Sequence, residues 1–440
     1  MRKRAVIVGS GAGGATVAKE LQGAFDVTVL EAGGEFHRAT LERTTIERLR
    51  RSHLLLDPRL VRLVYPPIRF RRTPDMLLVN GIGTGGTTTM ATGNGVRMDV
   101  DLRALGLDLD REFDEIAREI PITTAHRRRW HPTTRRLFRA FDDLGLGPVA
   151  LPKMGDAARC NHCGRCMLGC PFGRKWDSRR YLDEAVRRGA RLVTGSSVTE
   201  FVTEGGRATG VITRRKAVHR FVPADLVVLA AGGFGTPAIL QRSGVECEPT
   251  LFVDPVLTVA ARVPDAWQVN EIEMPFVVQR EHYILAPYFD WISSLFHPRW
   301  RHRLQDIVGV MIKLADESVG SVSGRRVHKL LTSNDRAHLE EAVGVATEIL
   351  ARFGADPAEV FPGTMHAGHP GGTLPLTEAS APTMHDARLP ENVFVADATL
   401  FPRSLGNPPI LTIIAMAKRV ARICTTNRAP SLSVADRVIA

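Results

Sequence analysis

The chain has 440 residues, of which 44% are hydrophobic and 24% charged, a composition that predicts two or three globular domains and excludes wholesale disorder. No apolar run approaches the ~18 residues of a membrane-spanning helix, so a transmembrane protein is not expected. The 58 Lys and Arg residues exceed the 47 Asp and Glu residues and give a net charge of +11, but the surplus is spread along the chain and indicates a solvated surface.

The N-terminus resembles the start of a signal peptide only superficially. Basic residues in Met1–Arg4 precede an apolar run, Ala5–Val8, which is too short for the core of a signal peptide and continues directly into glycines. We therefore predict no targeting segment and a cytoplasmic protein.

The first 31 residues read as a strand, a glycine turn, a helix, a second strand and an acidic residue. Ala5–Val8 and Asp26–Leu30 are the strands, Gly9–Gly14 carries the pattern G-x-G-x-x-G, and Ala15–Leu21 has apolar residues at helical spacing. Glu31 follows the second strand directly. This arrangement is typical of a dinucleotide-binding unit.

Each residue type in this unit has a physical role in binding a dinucleotide. Gly9 permits a tight turn, Gly11 lets the backbone approach a pyrophosphate, and Gly14 lets the helix pack closely on the strand. The start of the helix offers free N–H groups to the phosphates, and Glu31 can accept hydrogen bonds from ribose hydroxyls. The Glu-Ala-Gly-Gly sequence that begins at Glu31 and Ala32 is more similar to FAD-binding than to nicotinamide-binding proteins.

A second glycine-rich stretch, Gly81–Thr89, predicts backbone packed against a flat or charged ligand. The segment that follows, Asp99–Pro152, has a polar, helical character. Within it His126–His131 is rich in basic residues, but no recognised nucleic-acid-binding fold accompanies it, so we interpret it as a solvated helix or turn.

Four of the six cysteines lie within eleven residues: Cys160, Cys163, Cys166 and Cys170. Such a cluster indicates a reducing compartment and a metal or redox site, since a secreted disulfide framework would be spread through a short chain. The spacing C-x-x-C-x-x-C-x-x-x-C-P reproduces that of bacterial ferredoxins and predicts a [4Fe–4S] or [3Fe–4S] cluster. Tetrahedral zinc and unmetallated thiols or disulfides are the alternatives.

The rest of the chain predicts further strands and helices. Thr236 is a candidate N-cap for a helix that follows the glycines after Ala231, and Ser333 or Asn334 is one for a long amphipathic helix. The predicted elements are a β-ribbon of Val198–Thr203 and Ala208–Arg214, a buried strand ending in Ala230, antiparallel strands in Glu271–Gln279, Tyr283–Tyr288 and Ile307–Leu314, a helix at Asp335–Phe353, a strand at Asn392–Asp397 and an apolar helix at Pro409–Cys424.

These motifs, in this order, resemble the glucose-methanol-choline (GMC) oxidoreductase family over nearly the whole chain. The markers are Gly9–Gly14 with Glu31, then Gly83–Thr88, Ala230–Gly244, His369–Thr373 and Asp397–Pro402 with Asn407-Pro408. The resemblance implies FAD as cofactor, two domains, and oxidation of an alcohol with hydride transfer to flavin N5.

The resemblance also implies roles for single residues. His369 corresponds to the active-site histidine and Asn407 to a second group that is His or Asn in the family; an imidazole can take the hydroxyl proton and an amide can fix the hydroxyl. The N-terminus of the helix after Pro408 would supply positive potential to the flavin. The implied FAD-binding residues are Gly9, Gly11, Ala12, Gly13, Gly14, Glu31, Ala32, Gly85, Gly86, Thr87, Val198, Ala230, Ala231, Gly232, Asp397 and Pro408.

We therefore predict an α/β protein with a Rossmann-like FAD-binding domain, built on a parallel sheet with a β-ribbon, and an α+β substrate domain with an antiparallel sheet. The predicted ranges are 1–98, 186–245 and 365–440 for the FAD-binding domain, 99–152 and 246–364 for the substrate domain, and 153–185 for the cysteine-rich segment.

The predicted function is FAD-dependent oxidation of a small-molecule alcohol, with electrons passed through an iron–sulfur cluster to an acceptor protein or quinone. One alternative keeps the fold but acts as a lyase or decarboxylase. The other is a non-catalytic basic protein that binds a membrane surface or nucleic acid, suggested by aromatic and basic residues that interleave in Ile68–Arg72 and Trp291–Arg303. Peripheral membrane contact would also suit an enzyme acting on a lipophilic alcohol, and no nucleic-acid partner is expected.

Overall fold

The computed structural model describes residues 2–37, 47–48, 50, 52, 57–324 and 326–426. Within these residues, five strands form a parallel sheet in which the N-terminal strand is central. In spatial order the strands are Val393–Val395, Leu226–Leu229, Arg4–Val8, Asp26–Leu30 and Arg191–Val193. The predicted α/β class and the Rossmann-like parallel sheet are confirmed.

A second sheet is antiparallel except for one parallel pairing, between His366–Ala367 and Leu77–Gly81. Strand 255–262 in its middle pairs on one side with strand 307–314 and on the other with Val360–Pro362 and His366–Ala367. In spatial order its main path runs Ile68–Arg72, Leu77–Gly81, His366–Ala367, Pro255–Arg262, Ile307–Leu314, Tyr283–Pro287, Phe276–Gln279 and Val149–Ala150.

Smaller sheets complete the strand inventory of the described residues. The predicted β-ribbon is present and gains a third strand, since Arg207–Arg215 pairs with both of its neighbours. The strands of the ribbon are Ser197–Glu204, Arg207–Arg215 and Val218–Pro223. Two further sheets have two short strands each: Gly320–Ser323 pairs with Arg326–Lys329, and Ile122–Thr123 pairs with Lys153–Met154.

Helices cover both sheets. Helix 12–20 packs on helix 410–426, whose buried face includes Ile414 and Ala417, and the core of the parallel sheet lies beneath this pair. A second core lies between helix 333–353 and the larger sheet. The α-helices are Ala12–Glu20, Pro58–Val64, Val100–Ala104, Asp110–Glu119, Pro132–Asp143, Arg179–Arg187, Gly232–Arg242, Trp291–Phe296, Ser333–Phe353 and Ile410–Thr426.

Two predicted helix starts are wrong. The N-cap of helix 333–353 is Thr332, whose Oγ1 accepts a hydrogen bond from the Asp335 N–H (3.1 Å) while the Asp335 carboxylate accepts from the Thr332 N–H (3.0 Å). This capping box places the cap earlier than Ser333 or Asn334. Helix 232–242 begins four residues before Thr236, so Thr236 lies inside the helix and is not its cap. The Thr236 hydroxyl oxygen accepts a hydrogen bond from the Ala231 N–H (3.1 Å).

The aromatic residues behind the membrane-surface interpretation are mostly buried, so that interpretation was wrong for 291–303. Trp291 and Trp300 are 3% and 0% exposed. The indole N–H of Trp291 donates to the Gly164 carbonyl (2.8 Å), which fixes the cysteine segment. His126 and Trp130 are likewise buried and bonded to each other, so the basic 126–131 stretch is a partly buried 3₁₀ turn. None of the described helices combines the length and hydropathy needed to cross a bilayer.

The predicted domain ranges remain a prediction. Strands 68–72, 77–81 and 366–367, which those ranges assign to the FAD-binding domain, lie in the larger sheet. Residues 427–440, at the end of the last range, lie outside the described residues.

Candidate active site

A cleft with a cavity volume of about 360 Å³ opens at the carboxyl ends of the parallel strands. Strand 4–8 leads into it through Gly9 and strand 226–229 through Ala230, and the Ala230 N–H donates to the Val8 carbonyl (2.8 Å). Ligands of open parallel sheets bind in the crevice at this edge. The cleft therefore lies at the edge of the sheet where such folds bind their ligands.

The tertiary fold brings most of the predicted site residues to this one cleft. Residues far apart in the chain meet there because strands 4–8 and 226–229 are neighbours in the sheet. Gly14, Gly85, Asn407 and Pro408 do not line the cleft. The predicted residues that do line it are Gly9, Gly11, Ala12, Gly13, Glu31, Ala32, Gly86, Thr87, Val198, Ala230, Ala231, Gly232, His369 and Asp397.

The glycines of the first turn are required by close backbone contacts. Gly9 has φ +96°, and a Cβ there would lie 2.4 Å from the Ala230 carbonyl oxygen. A Cβ on Gly13 would lie 1.6 Å from the Ala396 oxygen, and one on Gly14 would lie 2.0 Å from the Gly9 oxygen. A Cβ on Gly11 meets no atom within 4 Å, because that position faces the open cleft. The turn thus forms a cradle with one unobstructed side.

Glu31 is bound to the turn that it follows. Its Oε2 accepts hydrogen bonds from the Ser10 hydroxyl (2.6 Å) and N–H (3.1 Å), and its Oε1 accepts from the Gly33 N–H (2.9 Å). Burial raises the pKa of the Glu31 carboxyl, and the hydrogen bonds from Ser10 and Gly33 oppose that rise. The carboxylate is therefore held in place by the chain at the wall of the cleft.

Asp397 joins the end of the last parallel strand to the start of helix 232–242. Its Oδ2 accepts from the Gly232 N–H (2.8 Å) and the Thr236 hydroxyl (2.5 Å), and its Oδ1 accepts from the Thr399 N–H (2.9 Å). Burial raises the pKa of the Asp397 carboxyl. Thr236 of the Thr-Pro motif is therefore not a helix cap; its hydroxyl group orients the Asp397 carboxylate.

The second glycine loop is held by two residues that sequence reasoning missed. The Ser178 hydroxyl contacts the Ser10 and Gly85 carbonyls at 3.1 and 3.0 Å, so it links the two glycine loops. The Lys175 ammonium donates to the carbonyls of Thr89 (2.8 Å) and Ala91 (2.6 Å) and to that of Cys166 (3.1 Å). Lys175 therefore connects the loop that lines the cleft to the cysteine segment.

His369 lies at the cleft with 27% of its side chain exposed, and its Nδ1 is 3.2 Å from Oδ2 of Asp254. A carboxylate can only accept a hydrogen bond, so Nδ1 donates and Nε2 is left as the nitrogen able to take a proton. Burial lowers the pKa of His369 and the nearby Lys313 ammonium lowers it further, whereas Asp254 raises it. The imidazole is therefore neutral at physiological pH.

Asp254 belongs to a buried network of charges that the sequence did not reveal. Its Oδ2 lies 2.5 Å from the Lys313 Nζ, and the Ser404 hydroxyl donates to its Oδ1. Its backbone N–H donates to Asp316 (2.7 Å), which pairs with Lys329 at 2.7 Å. Burial raises the pKa of Asp254, but Lys313 and His369 together bring it below the ordinary range. The carboxylate that orients His369 therefore stays ionised.

Asn407 is buried beside Gln279 rather than on the wall of the cleft. Its Nδ2 donates to Gln279 Oε1 (3.0 Å) and to the Leu405 carbonyl (3.5 Å). A catalytic role for Asn407 stays a prediction.

The cysteine segment presents four free thiols in a loop rich in left-handed residues, Cys170 (φ 46°) among them. Cys160 Sγ accepts from a backbone N–H at 3.4 Å, and Cys170 Sγ accepts from the Lys175 N–H at 3.3 Å. Burial raises the pKa of the Cys160 thiol, and the hydrogen bond from the His162 N–H opposes that rise. Which metal, if any, these thiols hold stays a prediction.

Two buried lysines face the cysteine segment. Lys153 donates to Asn94 and to the Glu273 carbonyl (2.6 Å), and its pKa is lowered to about 8 by burial, an effect that Cys166 opposes. Lys175 is also buried, and burial lowers its pKa. Burial raises the pKa of Glu273 to about 7. The two lysines thus place positive charge beside thiols that would be anionic when bound to a metal.

Comparison with known proteins shows which family this chain belongs to. A GMC oxidoreductase model matches residues 4–256 and an FAD-dependent oxidoreductase model matches residues 177–423. An uncharacterized GMC-type oxidoreductase of Mycobacterium tuberculosis is 29% identical over 487 residues, covering 96% of this chain and 75% of that protein. An uncharacterized protein of Methanocaldococcus jannaschii is 27% identical over 421 residues, covering 94% of this chain and 98% of that protein.

A solved structure shows the same fold. The pyridoxine 4-oxidase from Mesorbium loti superposes with a TM-score of 0.69 at 17% identity, covering 96% of this chain and 99% of that chain. Together with the family model, which spans more than half of the chain, the cleft at the glycine turn leads to one conclusion. The chain belongs to the GMC oxidoreductase family of FAD-dependent enzymes.

Proposed function

We propose that this enzyme oxidises an alcohol to a carbonyl compound, with His369 as the base that takes the hydroxyl proton. The observation that carries the proposal is the contact between His369 Nδ1 and buried Asp254, which leaves Nε2 of a cleft-lining imidazole as proton acceptor. Bound FAD supplies the two-electron acceptor. The proton goes to Nε2, and the hydrogen on carbon leaves with its electron pair, so that the C–O bond becomes C=O.

FAD would lie along the cleft-lining residues. The open side of the first glycine turn supports a pyrophosphate at Gly11, and Glu31 supports a ribose close by. Val198 lines the same cleft and would lie on the adenine side. Asp397 and the glycines of the second loop would face the rest of the cofactor.

The direct test of the proposed reaction is an anaerobic absorption spectrum of the purified protein before and after addition of a panel of alcohols, lipophilic ones included. We expect an alcohol to bleach the flavin bands in the dark and to yield the matching carbonyl product. Turnover without bleaching would instead favour a lyase or decarboxylase. A colourless protein that does not take up FAD would contradict both.

The glycine cradle gives a matched pair of variants. In Gly11→Ala the new methyl group meets no protein atom, so we expect the melting temperature of the FAD-free protein to be unchanged. FAD affinity should fall about 10- to 100-fold, because a methyl group in the pyrophosphate path costs ~1–3 kcal/mol. In the control, Gly13→Ala, the methyl group overlaps the Ala396 carbonyl, so the FAD-free protein itself should melt lower. Calorimetry measures the melting temperatures of the two variants, and flavin fluorescence measures their FAD affinities. Undiminished FAD affinity in Gly11→Ala would contradict the proposed site.

We further propose that electrons leave through an iron–sulfur cluster at Cys160, Cys163, Cys166 and Cys170 to an acceptor protein or quinone. Each thiolate of such a cluster would bind a different iron, and all four thiols are free of disulfide bonds. N–H donors to Cys160 and Cys170 and the buried lysines support an anionic cluster. Lys175 donates both to the Cys166 carbonyl and to the Thr89 carbonyl of the second glycine loop, so it links the proposed cluster site to a loop beside the cleft.

This proposal is tested by measuring the iron and acid-labile sulfide contents of anaerobically purified protein. We expect both to be present and to be lost in Cys166→Ser, whereas the control Cys247→Ser, outside the segment, should retain them. FAD content should be the same in both variants, which separates cluster loss from unfolding. Iron-free protein that passes electrons to a quinone at the full rate would overturn the proposal.

A further inference from the structure

Three potential metal ligands from distant parts of the chain meet beside the cysteine segment. They are His131, His162 and Glu271, and one nitrogen or oxygen from each lies within 4.8 Å of the others. His131 Nδ1 is 3.8 Å from Glu271 Oε2. His131 precedes helix 132–143, and Glu271 follows the 3₁₀ turn 268–270, so the fold alone brings them to the loop that carries His162.

The two buried members of this group lack hydrogen-bond partners. His162 is 3% exposed, and neither of its ring nitrogens has a partner among the described residues. Glu271 is 4% exposed; its Oε1 accepts from the Thr134 N–H (3.3 Å), but its Oε2 has no donor. A buried polar group left unpaired costs ~1–3 kcal/mol, and a ligand that binds a nitrogen and a carboxylate oxygen together would remove this cost for both residues.

The backbone at His162 is also unusual. Its φ of 48° lies in the left-handed region, which is costly for a residue other than glycine and is concentrated at functional sites. This conformation lays its ring against that of His131, with ring centroids 4.8 Å apart and planes inclined by 29°. A strained backbone conformation and a ring contact with His131 therefore coincide at one of the three candidate ligands.

Two imidazoles and one carboxylate are a typical ligand set for divalent first-row transition metals, zinc included. A tetrahedral zinc ion with bonds of ~2.0–2.1 Å sets its ligands ~3.3 Å apart, so the three groups need to approach by up to ~1.5 Å. The His131 side chain is 48% exposed, which gives an ion a route from solvent and leaves a coordination position open to water.

We propose that His131, His162 and Glu271 form a binding site for a divalent transition-metal ion that is distinct from the four thiols. No cysteine sulfur belongs to this group of ligand atoms. The ion would join the cysteine segment to helix 132–143 and to the segment before strand 276–279, and so fix the loop between Cys160 and Cys163. This site does not depend on the proposed reaction.

The test uses the full chain with FAD bound and Zn²⁺ as the probe. Calorimetric titration should show one tight site, and zinc X-ray absorption should show only nitrogen and oxygen neighbours at ~2.0–2.1 Å. Since loss of an outer partner of a metal ligand already costs ~10–100-fold in affinity, His131→Ala and Glu271→Gln should each weaken binding ~100-fold or more. The control His282→Ala removes a histidine of a surface pair stacked on His338 and should leave this binding unchanged.

A sulfur shell at ~2.3 Å would assign the ion to the cysteines and overturn the proposal, as would unchanged affinity in His131→Ala. Because the His131 side chain is half exposed, that variant should melt at the wild-type temperature without zinc. Added zinc should raise the melting temperature of the wild-type protein and not that of the variant.

Discussion

His369→Ala is expected to retain FAD but to lose ~10²–10⁴-fold in kcat, the usual contribution of a positioned general base. The imidazole lines the cleft, and its Nε2 is the nitrogen left to accept the hydroxyl proton once Nδ1 donates to Asp254. Single-turnover flavin bleaching by an oxidisable alcohol, under anaerobic conditions, measures the loss at the chemical step.

The matched control for this variant is His219→Ala, which removes an exposed histidine on strand 218–223. It should have wild-type flavin content and bleaching rate. If His369→Ala bleaches as fast as the control, the proton goes elsewhere and the assignment of His369 is wrong.

Asp254→Asn is expected to lower kcat by ~10²-fold, because an amide no longer holds the His369 ring in the productive orientation and tautomer. Asparagine is the appropriate replacement, since Asp254 has φ 50° and Asn tolerates that left-handed conformation. The variant leaves the buried Lys313 ammonium without its partner, which should cost ~3–5 kcal/mol of unfolding free energy.

The double variant Asp254→Asn with Lys313→Met separates catalysis from stability. Removal of both charges should restore most of the unfolding free energy without restoring kcat.

The pH profile is a second readout. Protonated His369 cannot act as a base, so kcat/KM falls as pH drops through its pKa, which lies below the ordinary 6.5. Asp254 raises that pKa, so Asp254→Asn should move the acid limb to lower pH, and Lys313→Met alone should move it to higher pH. Recovery of full turnover in the double variant would contradict a positioning role for Asp254.

Local sequence patterns predicted those parts of the site whose chemistry is carried by neighbouring residues. The G-x-G-x-x-G turn between two apolar strands predicted the cradle at Gly9, Gly13 and Gly14, because steric permission for a tight turn is a property of the residues in the turn. The His-Pro-Gly-Gly-Thr motif similarly placed His369, and that residue lines the cleft.

Partners distant in sequence could not be predicted in the same way. Asp254 lies 115 residues before His369, and Lys175 more than 80 residues after the glycine loop that it binds. A lone Asp or Lys carries no local signal of its partner. An aromatic residue between two arginines, such as Trp300, likewise carries no local signal that it is buried. One clue was available: Asp254 is followed by a strand and Lys313 lies in another, and adjacent strands bring charged residues into pairs.

The amino-acid sequence by itself determined the family, the parallel FAD-type sheet and the residues of the glycine turns, since these depend on backbone geometry within a few residues. The tertiary structure alone decided which polar and charged groups meet: Lys313 with Asp254 and His369, Lys175 with the second glycine loop, and His131 with His162 and Glu271. The physical reason is that a buried charge is stable only where pairing across strands and loops offsets its lost hydration, and the fold sets those pairs.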